Sequence, residues 1–148
     1  AHRLVEGRKL VLLGVEIPYE EGLLGHSDAD VAAHALMDAL LGAAALHDIG
    51  HHLPASDPAY RGADSMRLAG RVTQILKENG WYPHNVDVTI VAQAPKLMPF
   101  REAMRENAAR ALRIPVDRVS VKATTTEHMG YEGRGEGMSA LTVATITR

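Results

Sequence analysis

Residues 28–46 read DADVAAHALMDALLGAAAL, and this segment limits the fold more than any other. Ala and Leu dominate it, so a helix of about 19 residues and about 28 Å is predicted. A helix this apolar must be covered, and the rest of the chain has to supply the layer that covers it. Its polar residues are not scattered: Asp30, His34 and Asp38 recur every four residues and share roughly one face. An acid–imidazole–acid stripe next to a core is costly unless it binds something. Ser27 is the expected N-cap, with Asp30 at N3 as a partial capping box and Asp28 suited to the helix dipole.

The covering layer is legible as strands. Residues 9–17 (KLVLLGVEI) are β-rich, followed by a turn and loop over 18–25. In NVDVTIVAQ, Val86, Val88 and Ile90 alternate with Asp87, Thr89 and Val91, which predicts a strand over 85–93. Further strands are expected over 118–124 and 138–147. Helices are expected over 64–78, capped by Asp64 or Ser65, and over 100–112, ending before Pro115. The opening AHRLVEGRKL shows no clear strand. Residues 48–62 are too rich in Gly, Pro and Asp for an element, and connections of that length are often functional. The expectation is one α/β (α+β) domain over 1–148, a sheet packed with three main helices.

Composition narrows the chemistry. The 148 residues are 46% hydrophobic and 23% charged with net charge −2, so no basic footprint points to nucleic acid. Cysteine is absent, which excludes disulfides and thiolate sites and leaves His, Asp and Glu as metal ligands. The longest apolar run, over 39–46, is far short of the roughly 20 residues of a membrane span. The absence of cysteine fits a reducing, cytoplasmic location.

Several clusters carry candidate chemistry. His34, flanked by Asp30 and Asp38, is either a metal ligand oriented by a carboxylate or part of a solvated polar face. His26 and Asp28 form a polar pair at the helix N-terminus, where free N–H groups suit an anion. His47, His51 and His52 fall in a loop and read as solvent-facing, and Trp81 reads as packing. In KATTTE, Thr124 and Thr125 lie at a strand end suited to phosphate oxygens, and Glu127 could take Mg²⁺. GYEGRGEG has the composition of a phosphate loop but neither the GxGxxG nor the P-loop spacing. These residues favour phosphate chemistry over a pure binding module and leave the reaction open.

In this order and spacing, HSDADVAAHALMDALLGAAALHDIG, DPAYRGADS, NVDVTIVAQAPKLMP, VSVKATTTE and GRGEG resemble the 2-C-methyl-D-erythritol 2,4-cyclodiphosphate synthases of the non-mevalonate isoprenoid pathway. The resemblance spans nearly the whole chain. It implies a catalytic zinc held by an Asp-X-His motif and a helix histidine; His2 and His34 match the two histidines. The Asp would precede Ala1, so a missing N-terminal segment is expected. It further implies that Glu127 holds Mg²⁺ or Mn²⁺, that His26 and Thr125 are catalytic, and that Ser27 adjoins the phosphates. Asp48, Ile49 and Gly50 match the loop around the methylerythritol part. Ala92, Gln93, Ala94, Pro95, Lys96, Leu97 and Met98 match the cytosine pocket. Thr124 and Thr125 match residues on the cytidine diphosphate, and Tyr131 and Arg134 complete the substrate-binding set. One departure is Ala55, in LPASDP, where the family commonly has an Asp that meets the substrate's hydroxyls.

The implied reaction is intramolecular phosphoryl transfer that closes a cyclic diphosphate and expels CMP. It needs charge neutralisation and in-line geometry rather than a strong base, in accord with the absence of nucleophile triads. The resemblance also implies a homotrimer with active sites shared between subunits. Arg134 and Glu136 match residues near its axis, where some members accept isoprenoid diphosphates. Two readings compete: a non-catalytic, isoprenoid-binding trimer with a decayed site, and a metal-dependent nucleotide hydrolase.

Overall fold

The computed structural model describes residues 1–148. Its strands are β1 (His2–Glu6), β2 (Leu10–Leu12), β3 (Val15–Ile17), β4 (Glu21–Leu23), β5 (Tyr82–Val91), β6 (Val119–Thr124) and β7 (Gly137–Thr147). Its helices are α1 (Val31–Ala43), α2 (Ile49–His52), α3 (Ser65–Glu78), α4 (Arg101–Leu112) and α5 (Gly130–Gly133). Five strands form one sheet in the order β4-β1-β7-β5-β6, and β2 and β3 form a separate hairpin. Within the sheet only β5 and β6 run parallel, joined by the crossover through α4. The α/β (α+β) expectation and the three main helices hold.

Hydrophobic periodicity explains the layers. Val86, Val88 and Ile90 are fully buried against the helices while Asp87, Thr89 and Val91 face the other way. Helix α1 lies on β7 and β5, burying Val31, Leu36, Met37, Leu40 and Leu41. Each such side chain contributes roughly 1.5–3 kcal/mol relative to exposure. Helix α3 packs between α1 and α4. No helix covers the opposite face of the sheet, where Leu141 and Val143 of β7 are 63% and 70% exposed. No helix is long and apolar enough to cross a membrane.

The structure corrects four expectations. The opening segment is a strand: β1 pairs with both β4 and β7, yet only Leu4 is fully buried, so too little apolar signal marks it. Residues 21–23, expected in a loop, form β4; a side chain on Gly22 would strike the Lys9 carbonyl at 2.2 Å. Helix α1 starts at Val31 with Asp30 as N-cap, not Ser27. Asp28 is committed elsewhere, accepting from the Ser65 N–H and hydroxyl, and Ala29 at φ 59° cannot continue a helix. The other end stops at Ala43, since Ala45 is also left-handed at φ 56°. Last, the loop over 48–62 contains the short helix α2 and a 3₁₀ turn at Pro58–Tyr60, each started by an Asp side-chain cap.

Candidate active site

Asp30 sets the base of the site. Its Oδ1 accepts from the Leu13 and Ala33 N–H groups and its Oδ2 from the Gly14 N–H, tying the β2–β3 turn to the start of α1. Burial pushes its carboxyl up to about 7, against these three bonds, which hold it down. Asp28 does the equivalent at α3 through Ser65, and the Arg8 guanidinium donates to the Ser27 carbonyl at 3.2 Å. The 26–30 segment is thereby fixed between the hairpin, α1 and α3.

Over this base lies a cavity of about 170 Å³ that His2, His26, Ser27, His34 and Ile49 all line. The rings of His2, on β1, and His34, on α1, have centroids 5.8 Å apart and are tilted by 57°. Gly137 makes this placement feasible, since a Cβ there would press on the His2 carbonyl at 2.6 Å. Burial first, and also the His34 ring, lower the His2 pKa, which favours the neutral imidazole. His34 Nε2 lies 3.2 Å from Asp38 Oδ2, and Asp38 Oδ1 accepts from the Ile49 N–H at 2.9 Å. Two imidazoles facing one cavity, one of them beside a carboxylate, fit a borderline cation such as zinc. No group of three or more His, Asp or Glu side chains converges as a complete ligand set.

A second pocket of about 410 Å³ opens between the β5–α4 loop, α4 and β6, lined by Lys96, Leu97, Met98, Arg101 and Lys122 among others. It shares no lining residue with the first. The Ala94–Pro95 peptide preceding it is cis. Thr124, Thr125 and Glu127 lie exposed where β6 ends, with Glu127 and His128 left-handed at φ 53° and 65°. The His128 N–H donates to Gln93 Oε1 at 3.0 Å, so this turn and the pocket loop are anchored to each other. Ala92 joins them too, its N–H donating to the Thr124 carbonyl at 3.0 Å.

The expected residues therefore fall into two groups. His2, His26, Ser27, His34 and Ile49 share the first cavity, and Lys96, Leu97 and Met98 line the second. Asp48 caps α2 by accepting from the His51 N–H, and neither it nor Gly50 lines either cavity. Tyr131 shares a shallow depression with His2, and Arg134 is paired to Glu136 at 2.7 Å. Ala55, Tyr60 and Ser65 also line the first cavity. Sequence reading had no hold on Tyr60 or Ser65 as site residues, because only the packing of α3 and the 3₁₀ turn brings them there. His47 and His51 are exposed as expected, but their rings stack at 4.5 Å, and His51 meets His52 at 4.8 Å. Trp81 packs against the core, with the Arg148 guanidinium over its ring at 4.2 Å.

An imidazole pair at one cavity, and a separate pocket rimmed by cations, give an α+β domain with one place suited to a cation and another suited to an anion. The chain belongs to the YgbB family, whose profile matches residues 1–147. It is 58% identical over 147 residues to a 2-C-methyl-D-erythritol 2,4-cyclodiphosphate synthase from Geotalea uraniireducens, covering 99% of this chain and 94% of that one. Among solved structures, a 2C-methyl-D-erythritol-2,4-cyclodiphosphate synthase with CDP bound superposes with a TM-score of 0.90 at 36% identity, covering 99% and 95% of the two chains. The bifunctional IspDF from Campylobacter jejuni superposes at 0.93 with 44% identity; the match covers 98% of this chain and 39% of that longer one.

Proposed function

We propose that this chain converts 4-diphosphocytidyl-2-C-methyl-D-erythritol 2-phosphate to 2-C-methyl-D-erythritol 2,4-cyclodiphosphate and CMP. The observation that carries the reading is the His2–His34 pair facing one cavity with His26 and Ser27, beneath a fold shared with the synthases named above.

A 2-phosphate oxygen forms a bond to the β-phosphorus, the bond from that phosphorus to the α–β bridging oxygen breaks, and its electron pair leaves with CMP. A phosphate monoester is already an anionic nucleophile, so the site must position and neutralise rather than deprotonate. His2 and His34 would hold zinc and Glu127 Mg²⁺ or Mn²⁺, supplying charge neutralisation on the crowded phosphate oxygens. His26 and Ser27 offer polar hydrogens to phosphate at the cavity mouth, and Thr125 does so at the end of β6. Asp48, Ile49 and Gly50 confine the methylerythritol part. Residues 92–98 receive the cytosine, largely through backbone groups, which suits a pocket whose Met98 is 70% exposed while Leu97 is buried. Tyr131 and Arg134 complete the substrate contacts.

The two pockets of one chain share no residue, and the uncovered sheet face carries Leu141 and Val143. Both features support a homotrimer whose sites combine the metal side of one subunit with the base pocket of the next. Arg134 and Glu136 would then lie near the axis, where an isoprenoid diphosphate could be held. The reading carries a cytoplasmic or plastid location. Phosphorus NMR of the protein with substrate, Zn²⁺ and Mg²⁺ tests it. Appearance of both the cyclic diphosphate and CMP is expected, and release of inorganic phosphate or diphosphate without the cyclic product would overturn it.

A further inference from the structure

Helix α2 has four residues, none of them fully buried. A helix this short lies below the length at which helical hydrogen bonding sustains itself, so its position has to be imposed from outside. Its first residue, Ile49, also has an N–H with no partner inside the helix. That N–H is taken by Asp38 Oδ1 at 2.9 Å, from a different helix and across 11 residues of sequence. The second oxygen of the same carboxylate lies 3.2 Å from His34 Nε2. An ordinary exposed i, i+4 pair contributes only a few tenths of a kcal/mol and constrains nothing beyond its own helix. This carboxylate does more, because its two oxygens reach two different parts of one cavity wall.

We propose that Asp38 is a positioning residue that builds the metal side of the site and the methylerythritol loop as one unit. The inference rests on the function proposed above and deepens it. The 3.2 Å approach of Oδ2 favours the tautomer with the His34 proton on Nε2 and leaves the Nδ1 lone pair as the nitrogen donor for a cation. Acceptance by Oδ1 fixes where α2 begins, and so where Ile49 enters the cavity. A shift in the His34 ring is thereby transmitted to the loop through one rigid group, and a shift in the loop to the ring.

Two substitutions separate the two oxygens. In Asp38→Asn the amide oxygen still accepts from Ile49, but the amide N–H₂ confronts Nε2 and forces the His34 proton onto Nδ1. In Asp38→Ala the Ile49 hydrogen bond and the His34 contact both vanish. Two readouts that need no substrate are measured on the full chain: zinc affinity by chelator competition, and hydrogen exchange of the α2 amides. Asp38→Asn is expected to weaken zinc about 10- to 100-fold with near wild-type exchange. Asp38→Ala is expected to weaken zinc at least as much and to speed α2 exchange roughly tenfold. Wild-type zinc affinity in Asp38→Ala, wild-type α2 exchange in that variant, or equal exchange losses in both variants would each overturn the proposal. Because Asp38→Asn is isosteric, its far-UV spectrum and melting temperature serve as the check that α1 remains folded. A wild-type chain that binds zinc and protects α2 but yields no cyclic diphosphate would count against the proposed reaction and leave Asp38's role standing.

Discussion

The two cavities are built on opposite principles. The first, about 170 Å³, is specified by side chains: two imidazoles, a carboxylate that orients one of them, and a buried Asp30 that knits three backbone segments together. The second, about 410 Å³, is specified by backbone course, its loop set by two prolines and by the Gln93–His128 bond, with cations only at the rim. The contrast teaches where substitution should matter. A side-chain site fails when one atom is removed, while a backbone site fails only when its support collapses.

Removing an imidazole is the harshest test of this difference. His34→Ala should abolish stoichiometric zinc, read by elemental analysis, and reduce kcat by more than the roughly 100-fold that loss of an outer-shell partner costs. A variant that keeps its zinc and most of its rate would remove the first cavity from the chemistry. In the second pocket, Leu97→Ala should cost about 2–5 kcal/mol of stability, seen in urea unfolding, and weaken CDP binding with it. Lys96→Ala, by contrast, should change KM by less than about fivefold, as expected for an exposed charge. If Lys96→Ala proved the more damaging for nucleotide binding, the backbone account of that pocket would be wrong.

Ala55→Asp sharpens the comparison by adding a side-chain contact to the first cavity, which Ala55 lines. A charge-assisted hydrogen bond to a substrate hydroxyl should lower KM roughly tenfold; an unchanged KM would place the hydroxyls elsewhere. The smallest expected effect comes from the open sheet face. There the Lys122 ammonium, 2.8 Å from Asp87, holds that carboxyl below its usual 3.8. A depressed carboxyl stabilises the fold above the unfolded value and loses that contribution as pH falls through the lower folded one. The pair is partly exposed, so Lys122→Met should cost only about 0.5 kcal/mol at pH 7, and the two proteins should converge in strongly acidic solution. A gap that persisted at low pH would point to lost packing of the lysine stem instead.

Much of the candidate site was readable because its residues lie close together in sequence. His26, Ser27 and His34 fall within nine positions, and helical spacing alone put His34 and Asp38 on one face. Local pattern makes Asp30 a capping-box residue three places into the helix, whereas it is the cap itself. The cause was competition: Ser27 and Asp28 look like caps locally, but the N-terminus of α3 had already claimed Asp28. Only the family resemblance marks His2, since a five-residue strand with one buried side chain carries almost no periodic signal. Nothing local in the sequence marks Lys122 and Arg101 as lining residues of the second pocket, because only the parallel pairing of β5 with β6 and the crossover of α4 bring them together.

The sequence by itself determined the long apolar helix, the alternating strand at 86–91, the exclusion of thiolate chemistry and the residue types available for a metal. These follow from local periodicity and composition, which are properties of the chain before it folds. Only the tertiary structure decided that β1 stands inside the sheet, that His2 meets His34, and that one carboxylate joins His34 to Ile49. Each of these depends on backbone hydrogen bonds and packing between segments distant in sequence, and no local pattern records which of the competing partners a polar group will take.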